Sequence, residues 1–237
     1  GRDLTLPVAR IRALEKKTAK QAMVSLPEME RAGVAVAFAS IVAGLPSQDS
    51  DRNPEKAAAQ ALEQIGLYET WQSEGRVRLI KSVADLDHHL ELWRSDRKPG
   101  LVMQMEGAEP IVEVSDLPKW WDRGLRMVAL AWSDSRYAAG VGVGTPEHRP
   151  GGLTPDGAAL MESMAELGFI WDISHLAEDA VWEGLNTGFA RVCSTHANAR
   201  AVSATTRHLS DDVIRALAER DGVMGLVLFN CFLDSRW

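Results

Sequence analysis

Two short apolar runs in this chain end on histidines: Phe169-Ile-Trp-Asp-Ile-Ser-His175 and Arg191-Val-Cys-Ser-Thr-His196. One helix-like segment, Glu178 to Leu185, lies between them. Strands joined by a helical crossover run parallel, so both imidazoles fall at the carboxyl ends of neighbouring strands, on one side of a sheet. Open α/β sheets and (β/α) barrels keep their active sites at that end. Two histidines so placed point to a metal.

The rest of the chain repeats the same period. Gly33 to Val42 is apolar and β-branched, the pattern of a buried strand, and Pro54 opens an amphipathic helix carrying Ala58, Ala61, Leu62, Ile65, Tyr68 and Trp71. Arg76 to Lys81 predicts a strand. Ser82 and Asp85 resemble a capping box ahead of a helix with Leu86, Leu90 and Trp93 on one face. Gly100 to Glu106 predicts a strand that closes on a carboxylate. A short helix with Trp120 and Trp121 follows, then a strand over Arg126 to Trp132. Thr154 caps a helix with Leu160, Met161, Met164 and Leu167 inside and Gly168 as its stop. Ser210 caps another, and Val223 to Phe229 predicts a last apolar strand. The loop from Ser133 to Gly152, with Gly140, Gly142 and Gly144, lacks a dinucleotide fingerprint and is expected to be a catalytic-face loop or lid.

Roughly seven strands, nearly all separated by helices, predict an α/β fold of the (β/α)8 TIM type rather than an open doubly wound sheet. A complete barrel takes about 250 residues. This chain of 237 opens without a strand and closes on one, so it is expected to be an incomplete barrel, short of its first and last strand units, and a single domain over residues 1–237.

Composition removes several function classes. A net charge of −7, with scattered basic residues, argues against a nucleic-acid surface. No apolar run approaches the roughly 18 residues of a membrane span, and no signal-peptide pattern opens the sequence, so a cytoplasmic location is expected. Cys193 and Cys231 lie in apolar runs and are expected to be buried free thiols. Trp71, Trp93, Trp120 and Trp121 are expected to be exposed, which leaves a homodimer open. His88, His89, His148 and His208 read as solvated.

Glu106, His175 and His196 each stand just past a strand. A carboxylate with two neutral imidazoles suits zinc, which acidifies a bound water toward neutrality. Arg207, in a polar turn after His196, could hold a substrate carboxylate in a bidentate fork. The alternative is a surface pair with Asp211 or Asp212. Trp132 and Asp134 could line a pocket, and Asp172 is expected to face elsewhere by strand alternation.

Taken together, Gly124-Leu-Arg-Met-Val-Ala-Leu-Ala-Trp132, Gly152-Leu-Thr-Pro-Asp-Gly157, Trp171-Asp-Ile-Ser-His175, Cys193-Ser-Thr-His196 and Thr206-Arg-His-Leu-Ser-Asp-Asp212 resemble the membrane (renal) dipeptidase family of zinc peptidases. The resemblance extends over roughly Val34 to Phe232. It implies an amidohydrolase-type barrel with a binuclear zinc centre that cleaves dipeptides, often with a D-residue at the carboxyl side. By position, Glu106 would bridge the metals and act in catalysis, His175 and His196 would complete one metal site, and Arg207 would grip the dipeptide carboxylate. Trp132 stands where many members have a substrate-facing histidine. The family's first-strand His-x-Asp and its late catalytic aspartate are not in this sequence, so the residues in hand supply at most one full metal site. The sequence is expected to be part of a longer enzyme. A related hydrolase of another amide or ester, and a non-catalytic shortened barrel, are the alternatives.

Overall fold

The computed structural model describes residues 2–15, 21–44, 53–142 and 151–233. His148, Gly144 and most of the loop expected between Gly44 and Pro54 lie outside them. In order, the elements are α1 (Val8–Leu14), α2 (Leu26–Ala32), β1 (Val36–Ile41), α3 (Pro54–Ser73), β2 (Arg78–Leu79), α4 (Val83–Asp96), β3 (Gly100–Glu106), a 3-10 turn (Val114–Asp116), α5 (Leu117–Asp122), β4 (Leu125–Ala129), α6 (Pro155–Leu167), β5 (Ile170–Asp172), α7 (Glu178–Asn186), β6 (Val192–Ser194), α8 (Asp211–Ala218), β7 (Val223–Met224) and α9 (Asn230–Leu233). The chain divides into two compact units, residues 1–39 with 65–103 and residues 40–64 with 104–237.

In the first unit β2 runs parallel to the start of β3, with Arg78 opposite Gly100 and Leu79 opposite Leu101. Ser82 caps α4 by accepting the Asp85 N–H at 3.0 Å. The buried face of α4 differs from the expected one: Leu90 is exposed, and His89 is buried instead. Its Nε2 lies 2.8 Å from the Ala35 carbonyl oxygen. That hydrogen bond satisfies the ring and lets it pack under Gly100, where a side-chain carbon would meet it at 2.7 Å. Only His88 of this pair is solvated.

The second unit holds the end of β3 and the parallel run β4-β5-β6-β7, with Met127 opposite Ile170, Trp171 opposite Val192 and Cys193 opposite Val223. Met105, Ile111, Leu117, Leu125, Met127, Phe169 and Trp171 fill its core. Thr154 caps α6 by accepting the Gly157 N–H at 3.0 Å, and Gly168 ends it in the left-handed region at φ 88°. Ser210 caps α8 in the same way.

Several side chains sit otherwise than expected. Trp71 and Trp120 are buried. Trp93 and Trp121 are half-buried, and Trp121 is covered by the Phe169 ring edge and by the Arg126 guanidinium at 3.7 Å. Cys193 is half-buried, with burial pushing its thiol up, whereas Cys231 is exposed. The final strand is two residues long rather than seven. Beyond it Asn198 takes over: its side chain accepts the Val227 N–H at 3.1 Å and donates to the Val227 carbonyl at 3.0 Å. The ladder ends there, leaving Leu226 and Leu228 exposed. No helix among the described residues is long and apolar enough to cross a membrane.

Gly157 marks the tightest packing of α6, since a Cβ there would stand 1.9 Å from the Tyr137 carbonyl oxygen. Gly157→Ala is expected to destabilise the fold by about 2 kcal/mol through overpacking, read as a lower urea midpoint. An unchanged midpoint would show that α6 moves off the Tyr137 backbone without penalty.

Candidate metal centre

β3 delivers Glu106 as its last residue. Beyond β5 the segment Ile173-Ser174 leads to His175, and beyond β6 Thr195 leads to His196. The three side chains converge. Glu106 Oε1 lies 3.3 Å from His175 Nε2 and 3.3 Å from His196 Nε2, and the two Nε2 atoms are 3.0 Å apart. Ligands held about 2.0–2.1 Å from a tetrahedral ion stand roughly 3.3 Å from one another, so the spacing fits one cation.

His175 reaches this position through a left-handed backbone, φ 71°, a conformation that histidine tolerates better than most side chains. The loop after β4 holds it there. Val141 donates its N–H to the His175 carbonyl at 2.5 Å, and Ala177 donates to the Ala139 carbonyl at 3.0 Å. His175 Nδ1 donates to the Val141 carbonyl at 3.0 Å, which leaves the Nε2 lone pair for a metal. Trp132 stacks on the same imidazole, 5.2 Å between centroids and 29° between planes.

The electrostatics agree with a cation site. Burial pushes the His175 pKa down and favours the neutral, ligating form, against the opposing pull of Glu106. Burial alone would raise the Glu106 carboxyl. Contact with His175 and His196 outweighs it and holds the group well below the usual carboxylate range.

Arg207 is buried beside this cluster. One nitrogen, Nη2, donates to the His196 carbonyl at 2.8 Å, while Nε and Nη1 are buried without a partner among the described residues. Burial pushes its pKa down to about 10, with Asp172 and Glu106 opposing. The guanidinium stays charged, and it does not pair with the α8 acids: Asp212 pairs with Arg215. Two N–H-bearing nitrogens of a buried cation are therefore left without an acceptor among the described residues.

The family model for membrane dipeptidases, peptidase family M19, matches residues 3–236. The chain belongs to that family. It is 30% identical over 196 residues to an uncharacterized protein of Acinetobacter calcoaceticus, covering 78% of this chain and 61% of the relative. It is 26% identical over 210 residues to an uncharacterized dipeptidase of Schizosaccharomyces pombe, covering 83% of this chain and 49% of the relative. The chain thus spans less than two thirds of these relatives. Among solved structures, a metallo peptidase from Rhodobacter sphaeroides, bound to a phosphinate mimic of the dipeptide L-Ala-D-Ala, matches at 26% identity with a TM-score of 0.78 over 95% of this chain and 70% of that one. The fold class is α/β, an incomplete barrel of the TIM type. The family is one of metal-dependent dipeptidase-type hydrolases.

Among the described residues, Glu106, His175 and His196 are the one group of three or more such side chains close enough to share a metal ion. Asp134 braces the loop by accepting the Gly140 N–H at 3.0 Å. Sequence patterning missed Asp172. It is fully buried and accepts from Ser174, Thr195 and Gln104. A usable signal was present, since a hydroxyl residue precedes each of the two histidines.

His208 is buried, contrary to expectation. Its Nδ1 accepts the Asn198 N–H at 3.2 Å and its Nε2 donates to the Phe232 carbonyl at 3.1 Å. Burial lowers its pKa, and Arg207 and Arg200 add to the shift. A proton on Nδ1 would face the Asn198 N–H. The stabilising contribution of this histidine is therefore present above about pH 6.5 and lost as pH falls through its lower folded value. In metal-free protein the Tm advantage of wild type over His208→Gln should shrink between about pH 7 and pH 5. A constant advantage would show that the ring does not titrate in that range.

Proposed function

We propose that this chain carries the metal-binding and substrate-gripping part of a zinc-dependent dipeptidase. Glu106, His175 and His196 hold the ion, Glu106 also acts in catalysis, and Arg207 and Trp132 face the substrate. The observation that carries this reading is the approach of three ligand atoms to within 3.3 Å of one another beside a buried arginine with two unpartnered nitrogens. Zinc, when bound, supplies Lewis acidity and a water acidified toward neutrality.

The chain's own residues supply the rest. Glu106 stays ionised, so it holds a cation by charge. His175 is kept neutral by burial and oriented by the Val141 carbonyl. Trp132 covers one face of that imidazole and keeps water from it. Arg207 offers a buried guanidinium charge, with Nε and Nη1 lacking a partner among the described residues, to the terminal carboxylate of a dipeptide, which fixes the scissile carbonyl relative to the ion. The phosphinate dipeptide mimic bound by the Rhodobacter sphaeroides relative supports a dipeptide as the substrate class.

Two substitutions test this. His175→Ala should abolish stoichiometric zinc binding and reduce turnover at least about 100-fold with the fold retained, as read by metal analysis and circular dichroism. Full zinc loading and turnover in that variant would remove His175 from the centre. Arg207→Ala should raise KM for free dipeptides about 100-fold and leave carboxyl-amidated analogues nearly unchanged. Equal effects on both would make the arginine structural, and preference for N-acyl amino acids or lactones over dipeptides would favour a related amide or ester hydrolase.

A further inference from the structure

The two histidines are steadied by different means. His175 leans on a main-chain carbonyl, that of Val141, which no substitution removes. The other contact of His196 is a side chain: its Nδ1 lies 2.8 Å from Thr195 Oγ1. Thr195 Oγ1 in turn donates to Asp172 Oδ2 at 2.6 Å, and Gln104 Nε2 reaches the same two oxygens at 2.5 Å and 3.3 Å.

We propose that Thr195 and Asp172 form a relay that keeps the proton of His196 on Nδ1 and so turns the Nε2 lone pair toward the cation. The inference rests on the metal-site reading above and adds two positioning residues to it. A hydroxyl has one proton to give and two lone pairs to receive with. The proton of Thr195 is committed to the buried carboxylate, so toward His196 and Gln104 the oxygen only accepts. An imidazole nitrogen facing an acceptor must carry hydrogen, and the opposite nitrogen is then free to ligate.

Asp172 is built for this task. It is fully buried, and both of its oxygens are filled by donors. Oδ1 accepts the N–H of Ser174 at 2.9 Å and of Thr195 at 3.0 Å, the residues immediately before His175 and His196. Oδ2 accepts Thr195 Oγ1 and Gln104 Nε2. One carboxylate thus gathers the ends of β3, β5 and β6 and sets the backbone from which both ligands hang. Ser174 closes the arrangement: its Oγ accepts the His196 N–H at 3.1 Å. Acceptors of this kind behind metal-bound histidines are worth about 10–100-fold in metal affinity.

The test uses Thr195→Val, which keeps the shape and removes the oxygen, with Thr195→Ser as the conservative control. Zinc affinity is measured by competition with a chromophoric chelator, and the His196 Nδ1 proton is followed by NMR in the zinc-loaded protein. The expected result is a 10–100-fold weaker zinc affinity for Thr195→Val, near-wild-type affinity for Thr195→Ser, and a slowly exchanging Nδ1 proton that becomes fast-exchanging only in the valine variant. Equal affinity of Thr195→Val and wild type would overturn the relay and leave the metal centre standing. If wild type itself binds no zinc, both readings fall. Should the valine variant not fold, the wild-type spectrum still decides, because an unprotected Nδ1 proton on His196 contradicts the relay.

Discussion

A carboxylate brought up against two imidazoles at three strand ends is the constraint on which this structure turns. Burial works against the ionised Glu106, and the two imidazoles against it reverse that tendency. The same burial favours neutral His175. The cluster is thus internally opposed: it needs one negative group and two neutral ligands within 3.3 Å. A divalent cation at their centre resolves the opposition, since it is attracted by the carboxylate and coordinated by both rings.

The supports around the cluster share one logic. Each ligand is the product of a strand end plus a correction. The backbone of His175 turns left-handed and is clamped by the Val141 main chain. His196 is set by its neighbour Thr195, and both strand ends are tied to Asp172. Arg207 is fastened to the same place by donating to the His196 carbonyl, so the three converging side chains and the buried guanidinium are spaced by one short chain of bonds. The pair of Glu178 with Arg200 and the bond from Arg200 to the His208 carbonyl hold the turn that carries it.

Much of this was legible in the sequence, for reasons that can be named. Thr154 and Ser210 announce helix starts by side-chain capping, and Gly168 a helix end by its left-handed backbone. The run Gly100–Glu106 forms a strand over its whole predicted length because it is apolar and bounded by loop residues on both sides. What patterning could not reach were polar groups whose burial depends on a distant partner. His89 looks solvated on a helix until the Ala35 carbonyl is seen beneath it. His208 looks like turn surface until Asn198 and Phe232 close on it. Asp172 was set aside by alternation, although its burial follows from donors on Gln104 and Thr195 far away in sequence. The apolar run after Val223 shows the opposite failure: its composition suits a strand, but the Asn198 side chain takes over the backbone groups that a ladder would need.

Membership of the membrane dipeptidase family and the geometry of the three ligands meet in one claim, that a metal ion sits between Glu106, His175 and His196. Diffraction from zinc-grown crystals, collected above and below the zinc absorption edge, addresses it directly. The account predicts an anomalous peak about 2.0–2.2 Å from Glu106 Oε1, His175 Nε2 and His196 Nε2. A map with no peak among those atoms, or with zinc bound only elsewhere on the chain, would contradict it.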